Sequence, residues 1–425
     1  MKNDLNIIIA LPERIPILIS CRQTTAGIGR KIEEFHLYLE NMIVPYLPEW
    51  DIQVHCAYGH QYGSYWQLDL DENNFTGIIP DGVTEFPLSI AIYDSYGKKL
   101  AEKICTIELY SDEKEYPPFS ILTIGDSMTQ AQSYLEHIAA KLPNISFAGT
   151  RSFNGWLKHE GRGGFSTLDY TTKYQDPYAS SPFLFPKGVE ATRYFGDQTF
   201  WEQIEKSSLT QPYVYSGYEK QQLADGMIYN RDGILYVLEN GKEQIFSKKP
   251  EWEFHFSKYM ERFHIGKIDA VSILLGTNDI LNLHYDTAEQ GVEKVSENIQ
   301  TMIQSIQEYS DDVKILLNLP VLATKDEVAF GRCYSCDKHS KETRFIMLQF
   351  IQKLIEKWDH SEDQNIYLVP MYAVLDPIHG FPQMDYSNGR YFNSSEVHVK
   401  DAIHPNEGGY RQMGDALAAS IQKIR

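Results

Sequence analysis

Short apolar runs alternate with amphipathic segments from Phe119 onward, and this alternation restricts the fold more than any other feature of the chain. The apolar runs predict strands at 120–124, 144–148, 270–275, 314–319 and 365–369. The spacing of apolar residues predicts a helix through Leu142 and further helices at 287–309, 341–358 and 407–424. Strands that alternate with helices indicate a parallel sheet covered on both faces. Ligands bind at the carboxyl ends of the strands in such sheets, so we expect the chemistry directly after them.

The first part of the chain has a different pattern, in which apolar and polar residues alternate one by one. Three such runs place their apolar side chains on one face of a sheet: Ile52, Val54 and Cys56; Leu88, Ile90 and Ile92; Cys105, Ile107 and Leu109. Short strands of this kind predict an all-β sandwich domain over residues 1–115. The charged and proline-containing run 111–118 predicts a linker to a second domain at 119–425.

The second domain contains more chain than its sheet requires. Gly164 and Gly276 are too far apart for one crossover connection, so we predict an insertion at about 170–265. Trp201 and Trp252 lie in this insertion. Each ring can stack on a sugar or pack in the core, and core packing is the favoured interpretation.

Charge restricts the partners of the protein. The net charge is −19, and a surface that acidic disfavours nucleic acids and anionic membranes, because both are bound by clustered positive charge. No run of about 20 apolar residues predicts a membrane-spanning helix. The sequence also shows no signal peptide, which leads us to expect a cytoplasmic protein, although a secreted protein whose signal had been removed would look the same.

The five cysteines do not predict a disulfide framework, since their number is odd in a long chain. Cys333 and Cys336 form a lone Cys-x-x-Cys pair. Half a zinc site, a redox pair and a loop with two unpaired thiols all remain open, and the loop is favoured.

Gly125-Asp126-Ser127 follows the first predicted strand. A serine at a strand-to-helix turn is exposed to a base, and the N–H groups that begin the helix point towards a developing oxyanion. Small polar residues also cap helices, so this segment alone is weak evidence for a nucleophile.

Two further segments can supply oxyanion donors. Asn278, in Gly276-Thr-Asn278-Asp279, follows a predicted strand, and its amide can donate to an oxyanion or cap a helix. The glycine-rich run 160–167 contains Gly164 and either brings backbone N–H groups close to a ligand or forms a flexible turn.

Asp401 and His404 are spaced so that the carboxylate can orient the imidazole through Nδ1 and leave Nε2 to deprotonate a serine. The same spacing occurs at Asp376 and His379. Only His404 is followed by Pro-Asn and a terminal helix, so we interpret Asp376 as a turn or cap residue.

The order of these four segments resembles the SGNH (GDSL-type) hydrolase family, whose hallmark blocks carry Ser, Gly, Asn and His. The resemblance covers residues 119–425 apart from the insertion. The chain has no Gly-x-Ser-x-Gly elbow, the main signature of α/β-hydrolases. The resemblance implies a flavodoxin-like three-layer α/β/α domain and ester hydrolysis without a metal or organic cofactor.

The resemblance also implies roles for individual residues. Ser127 would be the nucleophile, His404 the general base and acid, and Asp401 its orienter. The oxyanion hole would consist of the Ser127 N–H, the Gly164 N–H and the Asn278 side chain. A small shift in register would put Gly161 or Gly163 in the place of Gly164.

The combination of a β-sandwich with such a hydrolase is similar to multidomain carbohydrate esterases that remove acetyl groups from xylan, pectin or related glycans. We therefore expect a serine esterase acting on acetyl esters of carbohydrates. A lipase, thioesterase or arylesterase of the same family is the first alternative, and a non-catalytic glycan-binding protein is the second. The N-terminal domain either binds glycan or packs on the hydrolase domain. The short, proline-stiffened linker favours packing.

Overall fold

The N-terminal part of the chain is β-rich, as predicted. The computed structural model describes residues 7–24, 27–32, 35–68, 79, 82–111, 116–153, 155–175, 180–198, 222–387, 389 and 394–425. The first strands are β1 (Ile8–Ile9), β2 (Arg14–Thr24), β3 (Gly27–Ile32), β4 (Phe35–Tyr38), β5 (Ile43–Val44), β6 (Asp51–Cys56), β7 (His60–Tyr62), β8 (Tyr65–Leu68), β9 (Glu85–Tyr93) and β10 (Lys99–Ser111). They form a sheet in the order β3-β2-β10-β9-β6, a second sheet β4-β8-β7 and the pair β1-β5. A 3₁₀ turn, Leu39–Asn41, follows β4.

Alternating apolar residues identify the buried face of the larger sheet. The apolar residues of β9 and β10 that the sequence singled out are all buried: Leu88, Ile90, Ile92, Cys105, Ile107 and Leu109. Ile52, Val54 and Cys56 are only half-buried, because β6 is the edge strand of this sheet and pairs on one side alone. The position of a strand within a sheet is a tertiary property, which alternation does not reveal.

The remaining strands are β11 (Phe119–Gly125), β12 (Ile145–Ala148), β13 (Glu160–Gly161), β14 (Leu184–Pro186), β15 (Tyr194–Asp197), β16 (Ile228–Arg231), β17 (Ile234–Glu239), β18 (Lys242–Ser247), β19 (Trp252–Phe254), β20 (Ala270–Leu274), β21 (Lys314–Asn318), β22 (Ile366–Val369), β23 (Gln383–Ser387) and β24 (Ser395–Val399). A parallel sheet has the order β12-β11-β20-β21-β22, with β13 paired to the end of β11. This order is flavodoxin-like. Strand β20 is buried along its whole length, as expected where both faces are covered.

Helices cover the parallel sheet and confirm the predicted mixed α/β fold class. They are α1 (Ser127–Gln130), α2 (Ser133–Lys141), α3 (Thr167–Thr171), α4 (Phe256–Arg262), α5 (Thr277–Ile280), α6 (Ala288–Tyr309), α7 (Glu327–Tyr334), α8 (Ser340–Trp358), α9 (Met371–Val374) and α10 (Glu407–Ile424). Helix α2 packs with α10, and α6 packs with α8. Among the residues described, no helix combines the length and apolar character needed to cross a membrane.

The helix predicted to continue through Leu142 is interrupted, which corrects the sequence prediction. Gln132 separates α1 from α2 and has a left-handed backbone with φ of 62°. Its side chain accepts the Phe153 N–H (3.1 Å) and donates to the Leu157 carbonyl (2.8 Å). These tertiary hydrogen bonds compensate a conformation for which the sequence offers no glycine or proline signal.

The chain between β13 and β20 carries structure of its own, in the region where the insertion was predicted. Strands β15-β16-β17-β18 form a small sheet, and β14 pairs with β19. Trp252 stacks on Tyr174 with ring centroids 4.2 Å apart and meets Tyr194 edge-on. This ring is therefore engaged in packing between aromatic side chains. Trp201 lies outside the described residues.

The N-terminal β-rich region packs directly on the part of the chain that carries the parallel sheet. Strand β2 lies against α10. Buried Glu108 accepts hydrogen bonds from Lys423 (2.8 Å) and from Arg14, and Asp359 accepts the Glu13 N–H (3.0 Å). Burial acts to raise the pKa of Glu108, but these two cations lower it, so its charge is kept and paired. The contacts match the packing interpretation of this region.

Candidate active site

Ser127 lies at the carboxyl edge of the parallel sheet, where β11 gives way to α1. Asp126 caps this helix: its Oδ1 accepts the Met128 N–H at 3.0 Å. Ser127 is the first residue of α1, and the N–H groups of a first helical turn have no intrahelical acceptor. The Ser127 hydroxyl and the Ser127 backbone N–H, a donor without an intrahelical acceptor, thus lie next to each other.

The loop from Asp401 to Asn406 brings an imidazole to this serine. Asp401 Oδ1 accepts the N–H groups of Ile403 and His404, both at 2.9 Å, and Oδ2 lies 3.1 Å from His404 Nδ1. On its other side, His404 Nε2 lies 2.9 Å from Ser127 Oγ. The structure therefore connects the three side chains predicted to form the triad by consecutive contacts, from Asp401 to His404 and from His404 to Ser127.

The electrostatics of the pair determine the imidazole tautomer. Burial alone would raise the pKa of Asp401, but hydrogen bonds from His404 and its backbone lower that pKa to about 2. The ionised carboxylate can only accept, so Nδ1 carries the proton and Nε2 is left to accept from the Ser127 hydroxyl. The same hydrogen bond to Asp401, opposed by burial, raises the pKa of His404.

This raised pKa predicts the acidic limb of the pH profile. We expect kcat/KM to fall as pH decreases through the pKa of His404, above the ordinary value of 6.5, because only neutral imidazole accepts the serine proton. Asp126 also faces His404, and burial raises its pKa to about 6, so part of the supporting negative charge is lost in the same range. Asp401→Asn removes the main support and should move the limb to lower pH. Profiles of both proteins on one activated ester test this, and an unmoved limb would contradict it.

Asn278 follows β20 in a turn that needs a glycine. Gly276 has a φ of 118°, and the short helix α5 begins at the next residue. Asn278 Nδ2 donates one hydrogen to the Phe165 carbonyl at 2.9 Å, which orients the amide and leaves its second hydrogen available. This arrangement suits a preorganised oxyanion donor.

The three glycines of the candidate oxyanion segment differ in what their N–H groups bind. The Gly161 N–H donates to His159 Nδ1 (2.9 Å), and the Gly163 N–H donates to Gln130 Oε1 (2.5 Å). Within the described residues the Gly164 N–H has no acceptor, and its φ of 77° suits a glycine. Among the three glycines, Gly164 is therefore the one whose N–H is available to bind an oxyanion.

The family model described as GDSL-like Lipase/Acylhydrolase matches residues 121–417. The chain belongs to this family. No curated protein matches the sequence of this GDSL-family member.

Solved structures similar to this GDSL-family chain share little sequence with it. A possible lipase from Chitinophaga pinensis DSM 2588 is 12% identical, with 72% of this chain and 98% of that chain covered and a TM-score of 0.37. A putative arylesterase from Agrobacterium tumefaciens str. C58 is 13% identical, covering 72% and 100%, with a TM-score of 0.34. A carbohydrate acetylesterase family member from Sinorhizobium meliloti is 10% identical, covering 72% and 98%, with a TM-score of 0.34.

Asn278→Ala provides a test of the oxyanion hole in this GDSL-family protein. We expect kcat to fall by about a hundredfold or more, since one such donor contributes about 3 kcal/mol to transition-state stabilisation. Asn282→Ala is a matched control four residues away, because among the described residues its exposed side chain bonds to the Asn278 carbonyl alone (2.8 Å). Its kcat should stay within about twofold. Equal turnover of both variants would remove Asn278 from the site.

Several residues that position the site were not singled out from the sequence. Asp279 Oδ1 and Oδ2 accept the hydroxyl (2.7 Å) and the N–H (2.9 Å) of Thr167, which holds the segment after Gly164 against α5. Burial raises the pKa of Asp279 to about 6, against the lowering effect of these hydrogen bonds. Gln130 has the same kind of role at Gly163. Their partners lie far away in sequence, so no local pattern marks them.

A buried carboxylate, Glu160, fixes the end of β13 just before the glycines. It accepts hydrogen bonds from the N–H and the hydroxyl of Thr150 (2.6 and 2.5 Å) and from the Tyr259 hydroxyl (2.8 Å). Arg162 lies 3.6 Å from its other oxygen. Because a buried charge is tolerated only when paired and hydrogen-bonded, this cluster holds the backbone that leads to Gly164.

The second Asp-x-x-His segment adopts the same local turn. Asp376 Oδ1 accepts the N–H groups of Ile378 (2.8 Å) and His379 (2.7 Å), and Oδ2 lies 3.2 Å from His379 Nδ1. The side chain of His379 is 82% exposed, and the imidazole bonded to Ser127 belongs to His404. Asp376 is thus a turn residue, as predicted.

The candidate metal-binding residues of the described chain lie away from this site. In the described part of the chain, one group could hold a metal ion: Glu13, Asp359 and His360, whose ligand atoms lie within 4.8 Å of one another. Asp359 ends α8 at the amino edge of the sheet, opposite Ser127. Cys333 and Cys336 are exposed free thiols outside that group.

Proposed function

We propose that the protein is a serine esterase in which Ser127 is the nucleophile, His404 the general base and acid, and Asp401 the residue that orients it. The observation that carries this proposal is the 2.9 Å contact between Ser127 Oγ and His404 Nε2, with Asp401 on the opposite ring nitrogen. A serine hydroxyl is a weak nucleophile until a base of this kind removes its proton.

The proposed first half-reaction forms an acyl-enzyme. Ser127 Oγ attacks the ester carbonyl while its proton moves to His404 Nε2. The oxyanion is stabilised by the N–H groups of Ser127 and Gly164 and by the free amide hydrogen of Asn278. When the intermediate collapses, the C–O bond to the alcohol breaks, and His404 gives its proton to the leaving alkoxide.

The second half-reaction uses the same groups on water. Water replaces the alcohol beside His404, which takes its proton as the oxygen attacks the acyl carbon. When the tetrahedral intermediate collapses, the bond between the acyl carbon and Ser127 Oγ breaks, His404 returns the proton to Ser127 Oγ, and the carboxylic acid is released. Asp401 stays ionised throughout and stabilises the imidazolium formed in each half-reaction, as its low pKa requires.

For the substrate, we propose an acetyl ester on a carbohydrate. The net charge of −19 favours neutral esters over anionic lipid head groups. The second supporting feature is the N-terminal β-rich region packed on the hydrolase domain. This arrangement resembles that of multidomain carbohydrate esterases. A lipase, thioesterase or arylesterase activity is the alternative outcome.

An acyl-chain-length series on p-nitrophenyl esters tests this choice. Acetate preferred over octanoate supports the proposal, and the reverse order overturns it in favour of a lipase or thioesterase. Acetate release from a panel of acetylated glycans, compared with phenyl acetate, then separates a carbohydrate esterase from an arylesterase. A chain that hydrolyses none of these esters would overturn the esterase itself.

A further inference from the structure

We propose that the N-terminal β-rich region is a working part of the active site. Through Tyr38 and Asn41 it holds the turn Asp376–Phe381, here called the docking turn. The docking turn, held in this way, fixes the position of the segment Asp401–Asn406, here called the catalytic loop. Tyr38 and Asn41 are thus positioning residues for His404. The inference rests on the proposed function, because it assigns these residues to the esterase reaction.

The first step is the contact between the N-terminal region and the docking turn. The Tyr38 hydroxyl donates to Asp376 Oδ2 at 3.1 Å. The Asn41 amide donates to the carbonyls of Tyr372 and Leu375, both at 2.8 Å, directly before the turn. Tyr38 is 7% exposed and Asn41 is 2% exposed, so water cannot readily replace these bonds.

The second step joins the docking turn to the catalytic loop. The Asn406 N–H donates to the Gly380 carbonyl at 2.9 Å. Its side-chain amide donates to the carbonyls of His379 (2.8 Å) and Phe381 (2.9 Å). Asn406 therefore makes three hydrogen bonds to the docking turn, and only Pro405 separates it from His404.

A second route runs through a buried cation, Arg344. Its guanidinium donates to Asn41 Oδ1 (2.9 Å) and to the Ala323 carbonyl (2.7 Å). The next residue, Thr324, donates its N–H to the Ala402 carbonyl (3.0 Å) and its hydroxyl to the Pro377 carbonyl (2.7 Å). Thr324 thus bonds both the catalytic loop and the docking turn, and Asn41 contacts both routes.

These contacts matter because the Asp401–His404 pair is held together internally. Asp401 binds the backbone N–H groups of its own loop, so the pair moves as a unit. The distance from His404 to Ser127 is therefore set by what holds the loop from outside. A misplacement of about 1 Å can cost about a hundredfold in rate.

The same contacts give the repeated Asp-x-x-His motif a role. Asp376 forms the turn that Asp401 forms, but its second oxygen receives the Tyr38 hydroxyl in addition to facing His379. The first copy of the motif serves as a docking element, while the second carries the imidazole that reaches Ser127.

Tyr38→Phe and Asn41→Ala test the proposal in the full chain. We expect each to lower kcat on p-nitrophenyl acetate by about tenfold, because the imidazole is held less accurately. KM and the pKa of the acidic limb should stay unchanged, since the Asp401–His404 pair is intact. Tyr62→Phe, at a 49% exposed tyrosine of the same region, is the matched control and should keep wild-type kcat.

Amide hydrogen exchange of residues 401–406 supplies a readout that does not depend on activity. Exchange should be faster in Tyr38→Phe than in Tyr62→Phe. Folded Tyr38→Phe with wild-type kcat and unchanged exchange would overturn the inference. If Asn41→Ala does not fold, Tyr38→Phe decides alone, because it loses a single oxygen atom. If the wild type hydrolyses no ester, the proposed function fails, and exchange still decides whether the N-terminal region holds the catalytic loop.

Discussion

Ser127→Ala is expected to lower kcat for ester hydrolysis by about ten-thousandfold or more. Alanine removes the hydroxyl proposed to form the acyl-enzyme, while His404 and the proposed oxyanion donors stay in place. Water must then attack the bound ester directly, without an acyl-enzyme. This leaves the small residual rate that substrate binding and oxyanion stabilisation provide. Folding should be intact, since the Ser127 hydroxyl has His404 as its one hydrogen-bond partner among the described side chains.

Turnover of p-nitrophenyl acetate and labelling by a fluorophosphonate probe measure this effect. Ser133→Ala is the matched control: its hydroxyl makes one weak contact, with the Ala131 carbonyl at 3.4 Å, and it should retain turnover within about twofold. Labelling that survives in Ser127→Ala would remove this serine from the chemistry. Absence of labelling even in the wild type would favour a non-catalytic binding protein.

His404→Ala is expected to lower kcat by about a thousandfold or more at neutral pH, because the serine loses the base that activates it. His379→Ala is the matched comparison, since it removes an imidazole with the same local turn but with an exposed ring. We expect it to cost less than about tenfold.

The pH profile separates the two histidines further. In His404→Ala the acidic limb should disappear from the pH profile of the residual rate. In His379→Ala the limb should stay above pH 6.5, because the hydrogen bond to Asp401 raises the pKa of His404 above this value despite the opposing effect of burial. Equal losses in the two variants, or a limb that survives without His404, would contradict the assignment of the base.

The sequence predicted the parallel sheet well because its strands are continuous apolar runs with clear ends. Ala270–Leu274 differs by one residue from the predicted 270–275, and α10 begins and ends at Glu407 and Ile424 as expected. Buried parallel strands are uniformly apolar, so their limits coincide with a change in composition. The short polar motifs that follow them could be found for the same reason.

The glycine register could not be decided from the sequence. The sequence does not distinguish Gly161, Gly163 and Gly164. They differ in the hydrogen-bond acceptors that the tertiary structure brings to their N–H groups. Two of those acceptors, His159 Nδ1 and Gln130 Oε1, already occupy the first two N–H groups. A Cβ at Gly161 would also come within 2.3 Å of the Gln130 nitrogen, which reserves this position for close packing against α1.

Contacts between the two regions of the chain were beyond prediction for a related reason. Tyr38 and Asp376 are 338 positions apart, and the half-exposed character of β6 follows from its place at a sheet edge. Periodicity reports which side of an element is apolar, but it does not report the neighbour that the element meets.

The distance in sequence between Ser127 and His404 also affects how activity is acquired during folding. The two residues are 277 positions apart, so their contact closes a very long loop of chain. Contacts of this kind cost loop-closure entropy and form slowly compared with helices. On refolding from denaturant, the helical signal should therefore return before esterase activity does. Activity would then measure the completion of tertiary assembly.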